Sequence, residues 1–524
     1  MKPMTLREKI GHMIMTGFNS EEVTPEILQL IDEYKVSNII LFSYNLNNRK
    51  QIAELCRELN NRICLSTGYP GMIATDQEGG VVTRLPEESP CIPGAMLIGA
   101  TGKKEYAYEA GKITGAELKA LGINMDLAPV LDINSNPGNP VIGARAYSGD
   151  GKTVKEYGVA MMRGLLEKGV AATAKHFPGH GDTSVDSHLG LPVVEKGLEE
   201  LMEQELIPFQ SAIKNGIPCI MTSHILFPKL EEKKLPATMS KSILTGLLRD
   251  KLGFQGVIIT DCLEMGAIKD NYKTTEGAVK AVKAGAELLC ISHTPELVIK
   301  AIEKIEEAVL SGEIPMEQID RAVDDILKLK EKYQIEANNG KSKNAIRKDE
   351  NTKDAKQIIK EIALSGITWL SDAKLPEITP DTIFLGSFAY RSTLASSIAD
   401  SGLHFAKYMA EKMNCSYLNV SINPDIDERT RILQEVKGYS RVVYGLYNGH
   451  LNKGQIELAN EISRSGQKIL GITLRNPYDL AFLDKAILKM AAYEYNTTVF
   501  DALVKILKKQ EEPRGKLPVE LTKV

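Results

Sequence analysis

The densest run of chemically capable side chains in this chain is KHFPGHGDTSVDSH, residues 175 to 188, and a separate carboxylate, Asp261, stands near the end of the apolar run GVIITDC at 256 to 262. Within the first run Asp186 and His188 are two residues apart. In extended backbone such residues project to the same side, so the carboxylate can hold one ring nitrogen while the other faces a substrate. That pairing fixes the tautomer and raises the imidazole pKa above its ordinary value of about 6.5, which suits proton donation near neutrality. Two-step cleavage of a glycosidic bond needs a carboxylate that attacks, and a second group that protonates the leaving oxygen and then deprotonates water. Asp261 fits the first part and His188 the second, with Asp186 as its orienter. Each has a plainer reading: Asp261 could cap the LEMGAI segment that follows, and His188 could be a solvated loop residue. Gly179, Gly181 and Gly190 leave the backbone of this loop permissive, so His188 could approach a ligand only once it is bound.

Such groups must be held by rigid elements, and short apolar runs supply them. They fall at 12–18, 38–43, 71–77, 123–130, 170–177, 217–224, 256–262 and 286–293, with amphipathic, helix-compatible stretches between. Eight β/α units predict a (β/α)₈ TIM-like barrel. Asp76, Asp126, His176, His224, Asp261 and His293 lie at or near the ends of these runs. In a barrel those ends converge on one face, where active sites of this architecture sit. His224 reads as a supporting residue rather than a ligand contact. A helix is expected around Met316 to Tyr333, then a polar stretch without apolar periodicity, EANNGKSKNAIRKDENTKD. The division this gives is a catalytic barrel at 1–335, a linker at 336–354 and a C-terminal domain at 355–524. In the last, the runs TIFLGS, SYLNVSI, RVVYGLYN and KILGITL predict a smaller α/β sandwich domain with a largely parallel sheet.

KHFPGHGDTSVDSHLGLP resembles the hallmark loop of bacterial β-N-acetylglucosaminidases of glycoside hydrolase family 3, and DQEGGVVTRL (76–85), GARAYS (143–148) and TDCLEMGA (260–267) resemble that family's other barrel motifs. TLRNPYDL (473–480) and GKLPVEL (515–521) are similar to the second domain of its two-domain members, so the resemblance covers nearly the whole chain. It implies a retaining, exo-acting hydrolase of terminal β-linked N-acetylglucosamine from cell-wall or chitin-derived saccharides, with Asp261 as nucleophile and the Asp186-His188 pair as acid/base. It also implies that Asp76, Arg84, Arg145, Lys175 and His176 hydrogen-bond the terminal sugar, although each of these alone could equally be a barrel-rim ion pair. There are two departures. Val81 stands where many relatives carry Arg, and Cys262 directly follows Asp261, with a side chain expected to point away from the sugar if the strand continues.

The 64 Lys and Arg nearly balance the 68 Asp and Glu, with no long block of one sign, which argues against a nucleic acid or membrane-surface partner and for a small or neutral molecule, which the resemblance implies is a saccharide. The seven cysteines are scattered without a C-x-x-C pair, which fits reduced thiols in the cytoplasm rather than a disulfide framework. No apolar segment approaches a membrane span, and no cofactor is expected. Rival readings are a phosphorylase or β-glucosidase of the same family, a metal-dependent hydrolase using His176, His180, Asp182, Asp186 and His188, and a non-catalytic sugar-binding protein. Against the metal, Pro178 and Gly179 interrupt the spacing that would align His176 and His180 on a helix. The single tryptophan, Trp369, lies in the second domain, so a Trp-lined cleft for long chains is not expected.

Overall fold

The computed structural model describes residues 4–187, 190–334, 350–391, 395–397 and 402–521. Eight short strands form the first sheet: β1 (Ile14–Thr16), β2 (Asn38–Leu41), β3 (Met72–Thr75), β4 (Met125–Asp126), β5 (Ala171–Phe177), β6 (Cys219–Thr222), β7 (Val257–Ile259) and β8 (Leu289–Cys290). Every one lies inside a run expected from the sequence. They pair in parallel in the order β7-β6-β5-β4-β3-β2-β1-β8. The hydrogen bonds Thr260 N–H to Leu288 O (2.9 Å) and Leu288 N–H to Ile258 O (3.1 Å) join β7 to β8 and close the ring. Every residue of these strands is buried, as a parallel sheet covered by helices on one side and filled by side chains on the other demands.

The helices form an outer layer with ordinary stop signals. Asn48 caps helix 49–67 by accepting from Gln51 N–H (3.0 Å), and Gly68, at φ 78°, ends it in the left-handed conformation. Helices 104–121 and 151–167 cross closely because Gly111 and Gly164 meet there. A Cβ on Gly164 would lie 2.3 Å from Tyr108 O, and one on Gly111 would lie 2.2 Å from Met161 O.

The second sheet holds β9 (Thr368–Trp369), β10 (Thr382–Gly386), β11 (Ser416–Asn419), β12 (Arg441–Leu446), β13 (Lys468–Thr473) and β14 (Leu488–Ala491). Its order is β11-β10-β12-β13-β14-β9, parallel throughout except for the β14-β9 pair. Two features differ from the sequence expectation. Strands β9 and β14 were not expected, and helix 350–366 begins at Glu350, inside the stretch read as linker. The two cores interlock: Ala355, Ile359 and Ile362 of that helix pack into the barrel core, whereas Ala363, Leu364 and Ile367 join the second. From the other side Met96, Leu97, Ala100 and Ala144 of the barrel segment pack into the second core.

Candidate active site

The C-terminal strand ends surround a cavity of about 680 Å³, a size typical of small-ligand sites. One wall is a buried charge network. Just past β3, Asp76 accepts from the Lys175 ammonium (2.6 Å), which also pairs with Glu78 (2.7 Å). Glu78 in turn takes a bidentate fork from Arg145, Nε to Oε2 at 2.8 Å and Nη2 to Oε1 at 2.7 Å. Burial alone would push the Glu78 carboxyl up, but Arg145 and Lys175 hold it far below the usual carboxylate range. Burial likewise works against the Lys175 ammonium, and Asp76 and Glu78 overcome it and raise its pKa. Arg84 lies 3.9 Å from Asp76 and completes a cluster of three cations and two carboxylates. Arg145 lines the cavity as the motif implied, yet its Nε and Nη2 are taken up by Glu78 and its Nη1 donates to Val141 O (3.4 Å). Behind this wall Asp126 accepts from Gln77 N–H (3.0 Å) through one oxygen, while the other has no partner among the described residues. Burial pushes its carboxyl well above the ordinary range.

His176, at the end of β5, gives Nδ1 to Asp132 (2.7 Å), so a protonated Nδ1 leaves Nε2 as the nitrogen available to the cavity it lines. Asp132 also accepts from the backbone N–H of His180 (2.7 Å) and of His176 (3.2 Å). Burial would raise its carboxyl, but His176, His180 and these bonds lower it. His180 packs edge-on against His176, with ring centroids 5.6 Å apart. Its Nδ1 meets Thr183 Oγ1 (2.9 Å) and its Nε2 meets Ser187 Oγ (3.0 Å). Burial lowers its pKa to about 4, so it is a neutral anchor. Ser187 O accepts from Ala267 N–H (3.2 Å), at the start of the helix that follows Asp261. Thus the residue preceding His188 is tied at once to the barrel and to the Asp261 loop. Asp186 is buried; His188 itself lies outside the described residues. Asp182 pairs with Lys196 (3.1 Å), and among the described residues the loop's carboxylates and imidazoles form no cluster able to hold a metal ion.

Asp261 lines the same cavity, two residues beyond the last residue of β7. Its Oδ1 accepts from Cys262 N–H (2.7 Å), and the helix that follows begins at Gly266 with Met265 as its N-cap residue, so Asp261 does not cap it. The expectation for Cys262 is corrected: β7 ends at Ile259, side-chain alternation stops, and Cys262 also lines the cavity. Burial pushes its thiol up to about 11. His224 is buried outside the lining and bridges Thr238 Oγ1 (2.8 Å) and Cys262 O (2.9 Å), bracing the backbone beside Asp261. The rim carries an aromatic group, Phe42 stacked on Tyr44 (5.5 Å) and close to His293 (5.0 Å). Sequence reasoning missed Glu78, although it sits within the DQEGG motif, and missed Asp132 and the contribution of the second domain. Arg391, Ala395, Ser396 and Ser397 of that domain line the cavity, and no signal in the sequence pointed to them.

A closed parallel barrel with acids, cations and histidines gathered around one cavity at its C-terminal face is a barrel enzyme. Residues 5–329 match the profile described as Glycosyl hydrolase family 3 N terminal domain, and the chain belongs to glycosyl hydrolase family 3. Its likeness is to the β-N-acetylglucosaminidase side of that family. It is 36% identical over 368 residues to beta-hexosaminidase A of Pseudoalteromonas piscicida, a match covering 63% of this chain and 62% of that one. It is 34% identical over 298 residues to a beta-hexosaminidase of Haemophilus influenzae, covering 56% of this chain and 83% of that one. A solved family 3 beta-N-acetylglucosaminidase from Paenibacillus sp. strain FPU-7 superimposes with a TM-score of 0.92 at 38% identity, covering 100% of each chain.

Proposed function

We propose that this chain is a retaining, exo-acting β-N-acetylglucosaminidase that releases terminal β-linked N-acetylglucosamine through a covalent glycosyl-aspartate intermediate. The observation that carries this reading is one cavity lined by Asp261, the Asp76-Lys175-Glu78-Arg145 network and His176, with the histidine loop anchored through Ser187 beside the Asp261 segment. In the first step Asp261 attacks the anomeric carbon while His188, oriented by Asp186, protonates the leaving oxygen. In the second step His188 deprotonates water, which displaces the sugar from Asp261. Asp76, Arg84, Lys175 and His176 bind the hydroxyl groups of the terminal sugar, because charged donors and acceptors bond them more strongly than neutral ones. Arg145 faces the same sugar while holding Glu78.

The substrates proposed are cell-wall fragments or chitin-derived saccharides. The seven cysteines are all free, which fits work in a reducing compartment such as the cytoplasm, in line with cell-wall recycling. Among the described residues no helix is long and apolar enough to cross a membrane. A panel of aryl β-glycosides bearing N-acetylglucosaminyl, glucosyl and xylosyl groups tests the reading. Turnover at least about tenfold faster, in kcat/KM, for the N-acetylglucosaminide is the expected result. Preference for the glucoside would replace the assignment with a β-glucosidase.

A further inference from the structure

We infer that Arg475 of the second domain is a positioning residue for the sugar site: it fixes the segment 395–397, which walls the cavity and aims Arg84. The inference rests on reading that cavity as the glycoside site. Arg475 follows β13 and is 4% exposed. Its Nη1 donates to Tyr447 OH (2.9 Å) and its Nη2 to Ser396 Oγ (3.1 Å), with the guanidinium 5.8 Å from the Tyr447 ring centroid. It has no carboxylate partner among the described residues. Burying a cation is costly unless its hydrogen bonds are well used, and here the planar fork is used to hold two hydroxyl groups.

The segment so held has no regular structure of its own, yet it is fastened on both sides. Ser397 N–H donates to Val81 O (2.8 Å), Thr83 N–H donates to Ser397 Oγ (2.9 Å), and Arg391 Nε donates to Ser396 O (2.9 Å). Next to these clamps Ala395 O accepts from Arg84 Nη2 (2.8 Å), and the same Nη2 is the nitrogen that faces Asp76. A continuous line therefore runs from Arg475 through Ser396 and Ala395 to Arg84 and Asp76. Without Arg475, Ser396 loses a buried donor, the segment keeps fewer of its clamps, and the Ala395 carbonyl that orients Arg84 toward the sugar is held less closely. The second domain thus completes a site whose reacting groups all stand on the barrel.

A double-mutant cycle between Arg475→Gln and Arg84→Ala separates this role from simple packing. Kinetics are measured on the aryl glycoside that the unmutated enzyme turns over fastest, so failure of the functional reading is seen before any variant is made. Arg475→Gln is expected to lower kcat/KM about 10- to 100-fold, chiefly through KM. In the Arg84→Ala background the same substitution is expected to cost less than about threefold, because the residue it acts through is gone. Arg475→Lys restores the charge but not the fork, and is expected to rescue little. Equal losses in both backgrounds, or a fall in melting temperature with no change in KM, would overturn the inference. If Arg475→Gln does not fold, Ser396→Ala takes its place in the cycle, with a smaller expected loss and the same non-additivity.

Discussion

Glu78→Gln is the sharpest test of the charge network. The Glu78, Lys175 and Arg145 side chains are 5%, 2% and 4% exposed, so none is screened by solvent. Removing the Glu78 charge leaves the Lys175 ammonium and the Arg145 and Arg84 guanidinium groups with a single carboxylate, Asp76. Breaking a buried pair from one side costs about 3–5 kcal/mol. Glutamine keeps the shape and one acceptor oxygen, and Asp76 still neutralises Lys175, so a loss near the lower end, about 3 kcal/mol, is expected. Glu156→Gln is the control, because its partner Lys104 and Glu156 itself are 53% and 50% exposed, and such pairs contribute about 0–1 kcal/mol. Urea unfolding, followed with a probe in the barrel, measures both. The pH dependence follows from the sign of the shift. A carboxyl held below its unfolded value contributes fully above the unfolded pKa, and that contribution is lost as pH falls toward the folded value. The difference between wild type and Glu78→Gln should therefore be level from pH 8 to about pH 5 and shrink below about pH 4. A difference under about 1 kcal/mol at pH 7, or one that shrinks as pH rises from 5 to 8, would refute the reasoning.

Other predictions are as direct. His188→Ala should slow natural saccharides by about 10²- to 10⁴-fold but glycosylation by activated aryl glycosides much less, since stable anions leave without a proton; Asp186→Ala should do the same more mildly, and equal losses for good and poor leaving groups would remove the pair from the acid role. Turnover should persist in phosphate-free buffer with free N-acetylglucosamine as product; acceleration of about tenfold or more by millimolar phosphate, with a sugar 1-phosphate as the main product, would make the enzyme a phosphorylase. At the opposite end of the barrel Lys330 is fully buried and donates to Ser37 O (3.1 Å) and Ser37 Oγ (2.5 Å), and burial lowers its pKa to about 7. Its unfolded form holds the proton more tightly, so stability should rise between pH 7 and about pH 10, by at most about 1.4 kcal/mol per pH unit. Lys330→Met should abolish that rise, as thermal unfolding across that range would show; an unchanged slope would contradict it.

The barrel was legible because each of its strands is wholly buried and so leaves a largely apolar run in the sequence. Strand β9 has only two residues, and β14, LKMA, carries a lysine and is half-buried at its start, so neither left such a run. Helix 350–366 was read as beginning too late because its first turns carry Glu350, Lys353 and Asp354, which resemble linker composition. Of the residues lining the cavity, Asp76, Asp261 and His176 were singled out because strand ends and motifs mark them. Glu78 and Asp132 were not singled out, since a carboxylate that serves another side chain is recognisable only when its partner is seen. Arg391 and Ser396 lie more than 300 residues from Asp76 in the chain and reach the cavity through packing between domains, which local pattern cannot report. The Cys262 expectation failed because it extended strand alternation past Ile259, where the backbone leaves the sheet.

The most direct test of Asp261 as the nucleophile is covalent trapping with a 2-fluoro or 5-fluoro glycosyl inactivator, followed by peptide mapping. Fluorine slows both steps while a good leaving group on the inactivator keeps the first one fast, so the glycosyl group remains on whichever residue attacks. A single adduct on Asp261, no adduct in Asp261→Asn, and no turnover in that variant are the expected results. Labelling of another carboxylate, or turnover surviving in Asp261→Asn, would contradict it.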